Sequence, residues 1–171
     1  MVHKRSDFEV FYKEHLAAVA GYATRRCNSA DAVDVVAETF VVAWRRFDIV
    51  SEHPNPRAWL FGVARRVLSN HHRSADRRLA LSQRVYSEWV PHRPALPSPT
   101  SAPLDVALAR VSDADREILL LAGVDELSPT EIGVVLGISP GSARTRLSRA
   151  RKRLGEHLNR IESDTHAKEQ A

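Results

Sequence analysis

Five of the nine prolines fall in one short stretch, PHRPALPSPTSAP, residues 91–103. Each proline removes a backbone donor and holds φ at about −65°, so neither a helix nor an interior strand passes through such a run. Its composition is that of a flexible linker, and what lies on either side must fold separately. The expected division is a first domain over residues 1–78, a linker over 79–103, a second domain over 104–160 and a polar tail over 161–171.

Both flanks read as helices, because apolar residues recur at spacings of three and four and no β-branched alternation is sustained. The expected fold class is all-α: a small helical bundle, a flexible proline-rich linker and a helix-turn-helix domain. In the first part, Ser6 with Glu9 has the form of a capping box for a helix burying Phe8, Phe11, Tyr12, Val19, Tyr22 and Ala23. A break near Asn28 and Ser29 precedes a second helix with Asp31 and Asp34 at its start, where the helix dipole favours acids. Its expected buried stripe is Val33, Val36, Phe40, Ala43 and Phe47. A turn, DIVSEHP, leads to Asn55 and Pro56, a cap followed by proline at the first helical position. The third helix then buries Trp59, Leu60, Val63, Ala64, Val67 and Leu68.

The second part repeats this punctuation at shorter intervals. Ser112 with Asp115 opens a helix through ADREILLLAGV, and Ser128, Pro129 and Glu131 cap the short segment TEIGVVLG, which stops at Gly137. Ser139 and Pro140 then open SPGSARTRLSRARKR. A short helix, a glycine turn and a longer helix form a helix-turn-helix, whose second helix enters the major groove of DNA.

That last stretch holds six cations between Arg144 and Arg153, while the whole chain is only +4, so the remainder is net −2. Localised basicity of this kind suits a polyanionic partner. Ala143, Leu147, Ala150 and Leu154 form a narrow seam, which excludes a disordered basic tail; a membrane-surface helix would bury larger residues. Opposite the seam lie Ser142, Thr145, Arg149 and Lys152, flanked by Arg144, Arg146, Arg151 and Arg153. Hydroxyls and arginines near the helix start reach base edges, and arginines further along reach phosphates.

Composition excludes several classes. The single cysteine, Cys27, can make no internal disulfide and has no CxxC partner. No run approaches the roughly 18 apolar residues of a membrane span, and the opening MVHKRSDFEVF has no signal-peptide core, so a cytoplasmic protein without membrane insertion is expected. His71 and His72 are adjacent and point to different sides of a helix, a poor metal pair that more naturally extends a basic surface. No HExxH, phosphate-cradling loop or nucleophile elbow occurs. No metal, cofactor or catalytic residue is expected, and an enzyme acting on nucleic acid is the most distant reading.

Taken together, DAVDVVAETFVVAW at 31–44, NPRAWLFGVARRVL at 55–68 and LSPTEIGVVLGISPGSARTRLSRARKRL at 127–154 resemble three segments of bacterial sigma-70 family factors. The compact, two-domain extracytoplasmic-function group is the best match, over about Phe8 to Leu158. The resemblance implies that the chain binds core RNA polymerase, through the β′ clamp helices and the β flap, and directs initiation at particular promoters. It also implies promoter DNA and an anti-sigma factor as partners. The linker would thread through the polymerase.

By the same resemblance the polymerase contact falls on Asp34, Glu38, Thr39, Trp44 and Arg45, although by themselves Asp34 and Glu38 read as solubilising charges. Here Ala37 replaces the glutamine of the family's usual DVVQETF, and Val33 stands where an acid is common. The minus-ten element would meet the turn from Asp48 to Pro54, where Ser51, Glu52, His53 and Asn55 would line a pocket for a flipped base. Arg57, Trp59, Arg65, Arg66, Asn70 and Arg73 would hold the unwound strand. Trp59 by itself reads as a packed core residue, and Arg66 replaces a common asparagine. The minus-35 element would meet Ser142, Arg144, Thr145, Arg146, Ser148, Arg149 and Lys152. The other reading the residues leave open is a stand-alone helix-turn-helix repressor or activator whose first domain senses a signal or dimerises.

Overall fold

The computed structural model describes residues 2–82 and 102–169. Among them there is no strand, and the chain divides into two compact units, Met1–Ala95 and Leu96–Ala171. Most of the stretch expected to be a linker lies outside the described residues.

Unit 1 contains α1 (Val2–Thr24), α2 (Ser29–Arg45), the single turn α3 (Phe47–Val50) and α4 (Pro56–Ser82). Helices α1, α2 and α4 pack on one another. The core is built on Val19, Tyr22, Val35, Val50, Leu60 and Phe61, all fully buried, with the Tyr22 and Phe61 rings stacked at 4.6 Å. Asn28 caps α2 by accepting the Asp31 N–H at 2.9 Å. Cys27 sits just before it, its thiol donating to the Ala23 carbonyl, and burial pushes its pKa up to about 11, with Asp31 adding to the effect.

Several expectations for this unit are corrected. Helix α1 begins before Ser6, which is therefore an interior residue and not a cap, and the Glu9 carboxylate instead takes Lys13 Nζ at 2.7 Å. On the turn ahead of Ser6, Lys4 Nζ reaches both carboxylate oxygens of Asp48, at 3.1 and 3.2 Å, and lies 5.9 Å from the Trp44 ring. Val33 is 68% exposed; the face of α2 turned inward is Ala32, Val35, Thr39, Phe40 and Ala43. Phe47, assigned to the same stripe, is buried from α3. The turn from Asp48 to Pro54 is helical over its first three residues. Helix α4 continues to Ser82, past the expected start of the linker.

Unit 2 contains α5 (Ala102–Arg110), α6 (Asp113–Gly123), α7 (Pro129–Leu136) and α8 (Pro140–Glu169), with α5, α6 and α7 all packed on α8. The caps fall where the residues indicate. Ser112 accepts the Asp115 N–H, Ser128 and Glu131 form a reciprocal capping box, and Gly137 ends α7 in the left-handed conformation at φ 68°. Helix α5 is not among the expected elements, and it takes in Ala102 and Pro103, the last two residues of the proline-rich run. The Arg116 guanidinium of α6 ties it down by donating twice to the Leu108 carbonyl, at 2.9 and 2.6 Å. The segment 161–171, expected as a polar tail, is helical through Glu169 as the continuation of α8.

Candidate functional site

Helix α8 is oriented by its seam. Ala143, Leu147 and Ala150 are buried and Leu154 half-buried, so the cations project from the remaining faces. Ser139 starts the helix: its Oγ accepts the Ser142 N–H at 3.2 Å and donates to Ser142 Oγ at 3.0 Å. The short approach between α7 and α8 depends on Gly133, where a Cβ would stand 2.7 Å from the Ile138 carbonyl oxygen. That close turn fixes the angle at which α8 leaves the unit.

Ser142, Arg144, Thr145, Arg146, Ser148, Arg149 and Lys152 are all exposed. Among the described residues none of these cations is ion-paired. Arg153 differs, because its guanidinium engages Asp115 of α6 at 2.9 and 3.0 Å, which makes it an anchor for α8. The Thr145 hydroxyl donates to the Gly141 carbonyl at 3.0 Å, leaving its methyl and oxygen lone pairs outward. The face thus combines free guanidinium forks, suited to base edges and phosphates, with small groups that allow close approach.

On unit 1 the α4 candidates divide by helical geometry. At about 100° per residue, Trp59, Arg66, Asn70 and Arg73 lie along one row, and Arg65 lies about a quarter-turn from it. Arg65, Arg66, Asn70 and Arg73 are exposed and Trp59 is half-buried. Arg73 is folded onto its own helix, donating to the Asn70 side-chain oxygen at 2.7 Å and the Ser69 carbonyl at 3.2 Å. Arg57 falls on the opposite face, its guanidinium 5.4 Å from the Phe61 ring centroid, and so does not join the row. At the head of α4, Ser51 and Glu52 are exposed while His53 and Asn55 are half-buried.

Along α2, Asp34, Glu38 and Arg45 are exposed on one face, and Trp44 is 41% exposed with its ring edge-on to Phe8 at 5.0 Å. Glu38 is tied to α4 through His71 Nε2 at 2.9 Å. The side chain of His72 lies outside the described residues. Thr39 does not belong to this surface. It is fully buried, its hydroxyl donating to the Val35 carbonyl at 2.6 Å, so its side chain faces the core and not the exposed row. Beside Asp34 and Glu38 the exposed face of α2 is apolar: Val33 is 68% and Val41 48% exposed, with exposed Ala37 between them. The signal for Val41 is its place in a Val-Val pair, since α2 has more apolar positions than one buried stripe can use; Val33 stands outside both pairs.

A family model described as Sigma-70 region 2 matches residues 11–78, and one described as Sigma-70, region 4 matches residues 101–154. The extracytoplasmic-function (ECF) sigma factor SigL of Mycobacterium tuberculosis is 34% identical over 143 residues, 80% of each chain. The chain belongs to the sigma-70 family. Among solved structures, the sigma factor RpoE of Bartonella quintana, determined in complex with the anti-sigma factor NepR, aligns with TM-score 0.67 and 30% identity, covering 90% of this chain and 97% of that one. CnrH, determined in complex with the cytosolic domain of CnrY, aligns with TM-score 0.62 and 26% identity over 91% and 89%. In this ECF sigma factor, region 2 corresponds to the α1–α4 bundle from Phe11 onward, and region 4 to the helix-turn-helix unit through the end of the α8 seam.

Proposed function

We propose that this chain is an alternative sigma factor that binds core RNA polymerase and directs initiation by reading a minus-ten element with unit 1 and a minus-35 element with unit 2. The observation that carries the reading is the pairing, in one chain, of two separately cored helical units that match regions 2 and 4 in order. The exposed row of α2, comprising Val33, Asp34, Ala37, Glu38, Val41, Trp44 and Arg45, is the polymerase contact. An apolar strip rimmed by charges suits a protein partner better than DNA. The loop 51–55 and the Trp59–Arg73 row of α4 take the opened minus-ten strand, whose unstacked bases need polar edges and aromatic faces. The unpaired cations of α8 take the minus-35 duplex.

This factor is held inactive by an anti-sigma partner, as RpoE and CnrH are each found with a bound protein. It acts in the cytoplasm, where polymerase and promoter are, and no helix among the described residues is long and apolar enough to cross a membrane. It contributes no catalysis of its own. The test is transcription by purified core enzyme on a genomic promoter library, with and without the full chain. Stimulated initiation at a discrete promoter set is expected. Absence of both stimulation and core binding, or tight operator binding by the chain alone, would overturn the reading in favour of a stand-alone regulator.

A further inference from the structure

Helix α4 carries a histidine that lies outside its DNA row. At about 100° per residue Leu60, Ala64, Val67 and His71 share one side of the helix, and the first three are buried. His71 is therefore the last member of the stripe that packs on the bundle, about a third of a turn from the Trp59–Arg73 row. It does not extend the basic surface to which its sequence assigned it. Its side chain is 27% exposed, and its Nε2 lies 2.9 Å from Oε1 of Glu38 on α2. A carboxylate can only accept, so the Nε2–H is the donor.

Glu38 stands in the exposed row of α2, with Asp34 one turn before it and Val41 and Arg45 after it. Its side chain is 56% exposed, and among the described residues nothing takes its second oxygen, Oε2. A partly exposed pair of this kind adds little to the stability of a fold. Helices α2 and α4 are in any case joined through the core that buries Val35, Leu60 and Phe61. The effect of the bond is local: it holds a long carboxylate side chain in one rotamer, with one oxygen engaged and the other open. A loose glutamate would have to be ordered when a partner met it, and each side chain immobilised at an interface weakens binding.

We propose that His71 is a positioning residue of the polymerase-binding face, holding the Glu38 carboxylate so that Oε2 meets a cation or N–H donor of core polymerase. It touches neither polymerase nor promoter itself. The face thus draws on α4 as well as on α2. This rests on the reading of the exposed α2 row as the polymerase contact.

The test is the affinity of the full chain for core polymerase, measured by titration. His71→Leu is expected to weaken binding about two- to tenfold, the effect of one long side chain left to be ordered at the interface. Glutamine brings an amide N–H to the Nε2 position, so His71→Gln should recover most of that loss. In a Glu38→Ala background His71→Leu should change nothing further, since the carboxylate it positions is gone. Holoenzyme formed with the His71→Leu chain at saturation should keep its minus-ten preference on templates varied singly across that element. Unaltered affinity of His71→Leu, a glutamine variant as weak as the leucine one, a loss that persists beside Glu38→Ala, or a changed minus-ten preference overturns the proposal. If Glu38→Ala and Val41→Asp weaken core binding while His71→Leu does not, only the role of His71 falls. If none of the three does while core-dependent initiation persists, the reading of the α2 face falls with it.

Discussion

Replacing Gly133 with alanine tests how the recognition helix is aimed. Its carbonyl accepts both the Gly137 N–H and the Ile138 N–H, the latter at 3.0 Å, as the chain reverses from α7 into α8. An added Cβ would lie 2.7 Å from the Ile138 oxygen, 3.5 Å from Pro140 N and 3.6 Å from Ser139 C, all backbone atoms that no rotamer change can move. Overpacking of this kind costs about 1–3 kcal/mol. The better helix propensity of alanine offsets at most about 1 kcal/mol of it. Gly155, inside α8, supplies the control: a Cβ added there meets nothing within 4 Å, so Gly155→Ala keeps the propensity gain without the clash. The two variants should therefore differ by about 1–3 kcal/mol. Hydrogen exchange of the intact chain is the assay, with amides of α6–α8 reporting unit 2 and those of α1–α4 as internal reference, since local stability is read segment by segment. Gly133→Ala should speed exchange across α7 and α8 and weaken minus-35 use, while Gly155→Ala should do neither. Equal protection in the two variants would refute the reasoning.

Arg149→Ala and Arg153→Ala should separate reading from anchoring. The first leaves stability within about 0.5 kcal/mol and weakens initiation from minus-35 promoters; the second costs about 1 kcal/mol of unit 2 stability through the lost Asp115 pair. Denaturation curves and promoter titrations of both variants check this. On α2, Thr39→Val should leave core-polymerase affinity unchanged, because the side chain is buried, whereas Val41→Asp should lower it at least about tenfold, as expected for a charge placed in an apolar contact. Binding measurements that find the reverse order would move the polymerase face. His15 packs edge-on to Phe11 at 4.5 Å, and burial lowers its pKa below 6.5, with Glu14 opposing the shift and Arg57 adding to it. The unfolded chain therefore takes up this proton at higher pH than the folded one. The associated stability is complete above 6.5 and declines as pH falls through the lowered folded value. His15→Leu should reduce the acid-side loss of melting temperature, and identical pH profiles would contradict the assignment.

Features that depend on bonds between near neighbours in the chain are legible in the sequence itself. Ser112, Ser128 with Glu131, Gly137 and the Ala143–Leu147–Ala150 seam all act within one or two helical turns, and each stands where the residues indicate. The division at the proline run is of the same kind, since missing donors are a property of the residues themselves. Tertiary contact decided the rest. Lys4, on the turn of α1 ahead of its apparent cap, meets Asp48, and packing against α1 and α4 selects Val35 and Thr39 over Val33 as the inward face of α2. Asp115 withdraws Arg153 from an otherwise uniform run of cations, and the Val35 carbonyl holds the hydroxyl of the buried Thr39. A side chain's type states which bonds it can make, but which of them remain open to a partner is known only when its neighbours in space are in place.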